Sequence, residues 1–237
     1  MKAVILAGGR GTRLAPYTRI FPKPMMPIGD KTILEILLLQ LKHSGITDIV
    51  LTIGHLSGLM RAFFQDGKQL GVNIEYSFEE EPLGTAGPLK MIKDLDETFI
   101  VLNGDVLTNL DINKMLDFHK INDGVATIAM HEYQVFIDLG IINHDMENHI
   151  IGYIEKPTLE YNVSMGIYVF EPKVLDFIPE QKYYDFPELV KNLIAHNLNV
   201  IGYPFNGYWK DLGRSIDYEQ ACNDFENMRS TFLDEVH

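Results

Sequence analysis

The chain has 237 residues, 46% of them hydrophobic and 22% charged, the balance of a globular protein with a buried core. Thirty-three Asp and Glu against 20 Lys and Arg leave a net charge of −13, a field that disfavours nonspecific binding to nucleic acid or to an anionic membrane. The single cysteine, Cys222, excludes an internal disulfide framework and a cysteine-rich zinc site and reads as a reduced, packed thiol.

In chain order, residues 3–6, 49–53, 74–78 and 99–102 read as buried strands, with helical patterns at 32–44, 56–66 and 85–93 between them. This β-α-β-α order argues for an α/β protein with a mainly parallel sheet covered on both faces, with ligands received beyond the carboxyl ends of the strands. The second half changes character. After a helix at 111–122, strands at 125–130, 140–143, 150–155 and 164–170 follow with little helix between them, which points to a smaller, partly antiparallel region. A helix at 186–196, strands near 200–203 and 208–211 and a helix from about Ser215 close the chain. The acid-rich stretch 217–237 reads as a solvated helix face and tail. No run reaches the roughly 18 apolar residues of a membrane span, and the apolar run at the start is too short for a signal peptide. A single cytoplasmic domain over 1–237 is expected, with no membrane partner.

The first strand runs into Gly8-Gly9-Arg10-Gly11-Thr12-Arg13-Leu14. Three glycines in four positions allow a sharp turn and a close backbone approach, with N–H groups able to face phosphate oxygens. The P-loop pattern is absent, and the dinucleotide pattern fails at its third glycine, where Leu14 stands. A plain tight turn stays open on the glycines alone. The surrounding charge favours the phosphate reading: residues 10–31 carry Arg10, Arg13, Arg19, Lys23 and Lys31 against one acid, Asp30.

Two acids end predicted strands, Asp105 in Asn103-Gly104-Asp105 and Asp211 in Trp209-Lys210-Asp211. Either alone reads as a turn or cap. Together, beside a phosphate loop, they suit Mg²⁺, which takes one or two carboxylates plus phosphate oxygens and water. Glu79-Glu80-Glu81-Pro82-Leu83-Gly84-Thr85 lies between a strand and a helix. It reads either as an acidic loop with Thr85 as a helix cap or as a base reader. A carboxylate matches the adjacent N1–H and N2–H₂ donors of guanine, whereas the one ring N–H of uracil or thymine suits Gln better.

The glycine motif, the following Phe21-Pro22-Lys23-Pro24-Met25-Met26-Pro27-Ile28, and the Glu-Glu-Pro-Leu-Gly-Thr-Ala-Gly-Pro-Leu run together resemble the sugar-1-phosphate nucleotidyltransferases, most of all the mannose-1-phosphate guanylyltransferases. The resemblance covers nearly the whole chain. It implies a Rossmann-like nucleotidyltransferase fold, with residues 1–110 mainly binding nucleotide and 111–237 mainly binding sugar phosphate. The implied reaction is NTP plus sugar 1-phosphate giving NDP-sugar and pyrophosphate. GTP would be the donor and mannose 1-phosphate or a related manno-configured sugar the acceptor, in polysaccharide precursor synthesis.

By this resemblance Leu6, Ala7, Gly8, Gly9, Gly11, Thr12, Gly84, Thr85 and Gly104 line the nucleotide, with Glu81 reading the base. Arg13 holds the leaving phosphates, Lys23 the reacting ones, and Asp105 and Asp211 hold Mg²⁺. In the motif Glu-Lys-Pro, Lys156 would bind the sugar phosphate, as would Lys23, and Glu155 the sugar hydroxyls, with Gly140 under the ring and Ser164 and Asp185 beside the sugar; Asp185 reads equally well as a helix cap. The sequence departs from the family where Ser164 replaces a frequent Asn and where Asp138 and Leu139 precede Gly140 in place of a frequent Tyr. The alternatives are a uridylyl-, thymidylyl- or cytidylyltransferase, or a non-catalytic binding subunit; a homo-oligomer stays open.

Overall fold

The computed structural model describes residues 1–79 and 81–233. Strand β1 (Lys2–Leu6) leads through three 3-10 turns and a small hairpin, β2 (Pro27–Ile28) and β3 (Lys31–Thr32), into α1 (Ile33–His43). There follow β4 (Asp48–Ile53), α2 (Ser57–Phe64), β5 (Asn73–Phe78), β6 (Phe99–Asn103), β7 (Val106–Thr108) and α3 (Ile112–Ile121). The second half holds β8 (Ala126–Phe136), β9 (Ile141–His144), β10 (Ile150–Ile154), β11 (Thr158–Phe170), α4 (Phe186–Ala195), β12 (Val200–Pro204), β13 (Trp209–Asp211) and α5 (Ser215–Phe232).

Seven strands form one sheet in the order β12-β8-β11-β6-β1-β4-β5. β1 pairs in parallel with β4 and β6, β4 with β5, and β12 with β8; β11 alone runs the other way, antiparallel to both its neighbours. Strand alternation distributes the apolar residues to both faces. Ala3 and Ile5 pack with α1, α2 and α3 on one side, and Val4 packs with α4 and a 3-10 turn on the other. A third cluster joins α5 to the far side of α1. The mainly parallel sheet covered on two faces is thus as expected, with β6 and β1 at its centre.

Local chemistry fixes the helix nearest the site. Thr32 accepts from the Glu35 N–H and the Glu35 carboxylate accepts from the Thr32 N–H, a reciprocal cap worth about 1 kcal/mol. The helix expected at 85–93 is instead a 3-10 turn over Gly87–Met91. The chain turns extended at Ile92, φ −82 and ψ 128, which ends the turn before a second one can form.

The strands expected at 125–130 and 164–170 are longer, Ala126–Phe136 and Thr158–Phe170. Their added halves pair in register from Val163↔His131 to Thr158↔Phe136 and form a largely exposed ribbon that carries the β9–β10 hairpin. Within the acidic stretch 217–237, α5 presents exposed acids as expected, while residues 234–237 lie outside the described residues. Cys222 is a free, half-buried thiol. No helix among the described residues is long and apolar enough to cross a membrane.

Candidate active site

At the carboxyl end of β1 the chain enters the glycine loop. Gly11 takes φ 59, and a β-carbon there would stand 2.9 Å from Thr18 Cγ2 and 3.1 Å from Lys23 Cβ, so both backbone and packing require glycine. Thr18 Oγ1 and Leu14 N–H both donate to the Gly11 carbonyl, at 2.7 and 2.9 Å, which pins the loop. The N–H groups of Gly8, Gly9, Arg10 and Gly11 donate to no protein acceptor among the described residues. Four successive N–H donors left unpaired in a loop form a concave receptor for an anion.

A cleft of about 270 Å³ opens beside this loop, lined by Leu6, Ala7, Gly9, Gly11, Thr12, Arg13, Lys23, Pro24 and Asp105. Eight of these nine residues were singled out above as nucleotide-binding or catalytic, and the ninth, Pro24, stands within the same motif. Lys23, on a 3-10 turn between two prolines, is buried with its side chain 9% exposed. Its ammonium donates to Asp105 Oδ2 and stands 3.7 Å from Asp211 Oδ1.

The two acids meet for a reason visible in the strands. Asp105 lies between β6 and β7, and β13 pairs antiparallel to β7 with Asp211 opposite Val106; the Leu212 N–H then donates to the Asp105 carbonyl at 3.0 Å. The Gly104 N–H donates to the Leu6 carbonyl at 2.9 Å, which holds this corner against the end of β1. Arg13 completes the group, since a β-carbon on Gly213 would stand 2.9 Å from its Nη2.

Burial, and next the charge of Asp105, push the Asp211 carboxyl above its ordinary value, against the opposing pull of Lys23 and Arg13. An acid whose folded pKa lies above its unfolded one binds its proton more tightly when folded, so its ionised form costs stability above that range. Asp211→Asn is therefore expected to leave the unfolding midpoint at neutral pH unchanged or higher, read by thermal denaturation at pH 5 and pH 7. A clear drop confined to pH 7 would contradict that electrostatic account.

The same pair provides the test of fit for a metal. Among the described residues no three or more His, Cys, Asp or Glu side chains converge as a ligand group. Two carboxylates facing one cationic atom beside an anion-receptive loop suit a hard cation that keeps phosphate and water among its ligands.

The segment expected to read the base is tied to the second half of the chain. Thr85 donates through N–H and Oγ1 to Asp185 Oδ1 at 2.8 and 3.0 Å, and Thr85 Oγ1 accepts from the Phe186 N–H at 2.9 Å. Thr85 therefore caps α4 rather than a helix of its own. Asp185, expected at the sugar or as a cap, makes no cap bond and instead gives its carboxylate to Thr85 and Tyr183. Gly84, at φ 80, brings its backbone within reach of the Tyr184 carbonyl, where a β-carbon would stand at 2.6 Å.

The three acids of this segment are not equivalent. Glu81 is exposed and makes no side-chain hydrogen bond among the described residues, and Glu80 lies outside them. Glu79, not singled out above, is half-buried against the glycine loop: a β-carbon on Gly8 would stand 3.1 Å from its Oε1, and its Oε2 accepts the Leu83 N–H at 3.0 Å. Burial raises the Glu79 carboxyl, and that hydrogen bond opposes the rise. The signal that could have found it is its place, the first residue after β5, the strand next to β4 at the ligand-receiving edge.

Of the residues expected at the sugar, Gly140, Glu155 and Lys156 lie on the exposed ribbon and its hairpin. Lys156, at φ 43, pairs with Asp138 at 2.7 Å, and Glu155 Oε2 accepts from Tyr153 Oη at 2.9 Å. Gly140 faces that same Tyr153 hydroxyl. Ser164 Oγ donates to Tyr168 Oη at 3.0 Å where the ribbon joins the sheet. The described contacts bring Gly140, Glu155 and Lys156 together as one group, and Ser164 and Asp185 each stand apart from it.

Comparison with known proteins agrees with this geometry. Residues 2–228 match the family described as nucleotidyl transferase. The chain is 36% identical to the UTP–glucose-1-phosphate uridylyltransferase of Synechocystis sp. over 93% of its own length, and 35% identical to the mannose-1-phosphate guanyltransferase of Debaryomyces hansenii over 92%. It spans 62% of the length of each of these relatives. Among solved structures, HddC from Yersinia pseudotuberculosis, crystallised with GMP-PN, superposes with a TM-score of 0.70 at 27% identity, covering 94% of this chain and 99% of that one.

Proposed function

The chain belongs to the nucleotidyl transferase family, and from that premise we propose that it transfers a guanylyl group from GTP to a sugar 1-phosphate, mannose 1-phosphate or a related manno-configured sugar, with release of pyrophosphate. One observation carries this reading: loop N–H groups unpaired among the described residues, Arg13, Lys23 and Asp105 meet in a single cleft at the end of β1, with Asp211 3.7 Å from the Lys23 ammonium.

In this mechanism the loop N–H groups of residues 8–11 take phosphate oxygens of the nucleotide, and Arg13 faces the leaving pair. An oxygen of the sugar phosphate attacks the α-phosphorus in line as the bond to the bridging oxygen breaks, and pyrophosphate departs with its electrons. The nucleophile is already anionic, so no general base is required. Positioning and charge neutralisation supply the rate. Asp105 and Asp211 would hold Mg²⁺, which when bound adds positive charge at the phosphate oxygens. Lys156 and Glu155 would take the sugar phosphate and hydroxyls from the ribbon.

The guanine choice is supported by the Glu79 carboxylate packed against Gly8 of the glycine loop and by relatives named mannose-1-phosphate guanyltransferase. The uridylyl name of the Synechocystis relative is the rival. A pyrophosphate-release assay of the four ribonucleoside triphosphates and dTTP against glucose, mannose and heptose 1-phosphates separates them. The largest kcat/KM is expected for GTP with a manno-configured acceptor. A preference for UTP with glucose 1-phosphate overturns the guanylyl part, and no turnover with any pair overturns the enzymatic reading.

A further inference from the structure

Lys23 is the one buried cation beside the two aspartates, and its ammonium occupies the ground between them. It donates to Asp105 Oδ2 and lies 3.7 Å from Asp211 Oδ1. Its backbone is fixed, so displacement falls to the side-chain head alone. The side chain is 9% exposed, the backbone is held in a 3-10 turn with Pro24 behind it, and the glycine loop packs against its β-carbon. A doubly charged cation bound by both carboxylates would meet this ammonium at contact distance, and the two like charges repel.

We infer that Lys23 is a resident counter-ion which occupies the Asp105–Asp211 pair in the unliganded chain, so that a divalent cation must displace it to bind, weakly on its own and tightly once Lys23 moves onto an incoming phosphate. The inference rests on the metal reading above and goes beyond it. The same lysine that meets the substrate phosphates also screens the two carboxylates while no substrate is present. The carboxylate pair then never stands uncompensated: the ammonium covers it first, and phosphate and metal arrive together. Binding of metal and nucleotide are thereby coupled through one side chain.

Mn²⁺ alone, without nucleotide, is the probe, titrated into the full chain and followed by the electron paramagnetic resonance signal of the free ion. Wild type is expected to bind it weakly, and Lys23→Met about tenfold or more tightly, because Met keeps the length and loses the charge. Arg13→Met removes a nearby charge without vacating the space between the carboxylates, and is expected to change the affinity by no more than about threefold. Adding Asp105→Asn to Lys23→Met should abolish the gain. An equal gain in the Arg13 and Lys23 variants would mean bulk charge rather than occupancy and overturns the proposal. Asp105-dependent binding that is unchanged by Lys23→Met overturns it while leaving the metal site standing. No binding by folded Lys23→Met overturns both. Wild type provides a second reading should that variant fail to fold. The ¹⁵N signal of the Lys23 ammonium is expected to shift on saturation with Mg²⁺, and an unmoved signal with Mg²⁺ bound refutes the displacement.

Discussion

Asp105→Asn is expected to lower turnover by about 10²-fold or more while the fold stays intact, because the change removes charge and preserves shape. The main chain at this position accepts the Leu212 N–H through its carbonyl, a bond the substitution does not touch. The side chain loses half of the paired negative field that faces Lys23, and a neutral amide cannot replace a carboxylate as a ligand for a hard cation. A factor of 10² corresponds to about 2.7 kcal/mol of transition-state stabilisation, within the range for removing one group from a preorganised electrostatic site. Pyrophosphate release under saturating substrates gives kcat, and a far-ultraviolet thermal melt checks the fold. Turnover near that of wild type would remove Asp105 from the machinery. A matching collapse of the melt would make the residue structural instead.

Much of this site was legible in the sequence because local rules govern it. The glycine loop, the Pro-Lys-Pro segment and the strand-end acids are each set by a few neighbouring residues, and the cleft they line is built from the predicted set with only Pro24 added. What was not legible depends on long-range pairing. The pairing of Asp211 with Asp105 was expected, but its cause, the register of β13 on β7 across about a hundred residues of chain, lies in no window of sequence. That Asp185 serves Thr85 follows from the packing of 184–186 on 83–87, which no window of sequence contains. The exposed ribbon was within reach. Thr158-Leu159-Glu160-Tyr161-Asn162-Val163 alternates polar and apolar residues, the period-2 signature of a strand with one wetted face. The helix expected at 85–93 shrinks to a 3-10 turn because Thr85, its expected cap, is engaged by Asp185 and Phe186 and the chain turns extended at Ile92, neither of which the apolar spacing contains.

The assignment of the base reader is decided by comparing two neighbours, Glu79→Gln and Glu81→Gln. A carboxylate that reads guanine accepts from N1–H and N2–H₂ together. Gln at that place turns one acceptor into a donor facing a donor, at a cost of roughly 1–3 kcal/mol, more where charge assistance is lost. The reader's variant should therefore lose roughly 10- to 100-fold in kcat/KM for GTP. UTP should lose less or gain, because Gln can pair with its N3–H and a neighbouring carbonyl. The geometry favours Glu79, half-buried with Oε1 against Gly8, over Glu81, which is exposed. Glu79→Gln is thus expected to move the GTP-to-UTP ratio and Glu81→Gln to leave it within about twofold, since solvated groups away from a contact cost little. Burial also raises the Glu79 carboxyl, so it takes up a proton at higher pH than an exposed glutamate. A protonated carboxyl has lost one acceptor, and guanine preference should weaken on acidification in wild type and not in Glu79→Gln. A ratio that moves only in Glu81→Gln returns the role to that residue, as its place in the acidic run suggested. A ratio unmoved in both variants means that neither side chain reads the base.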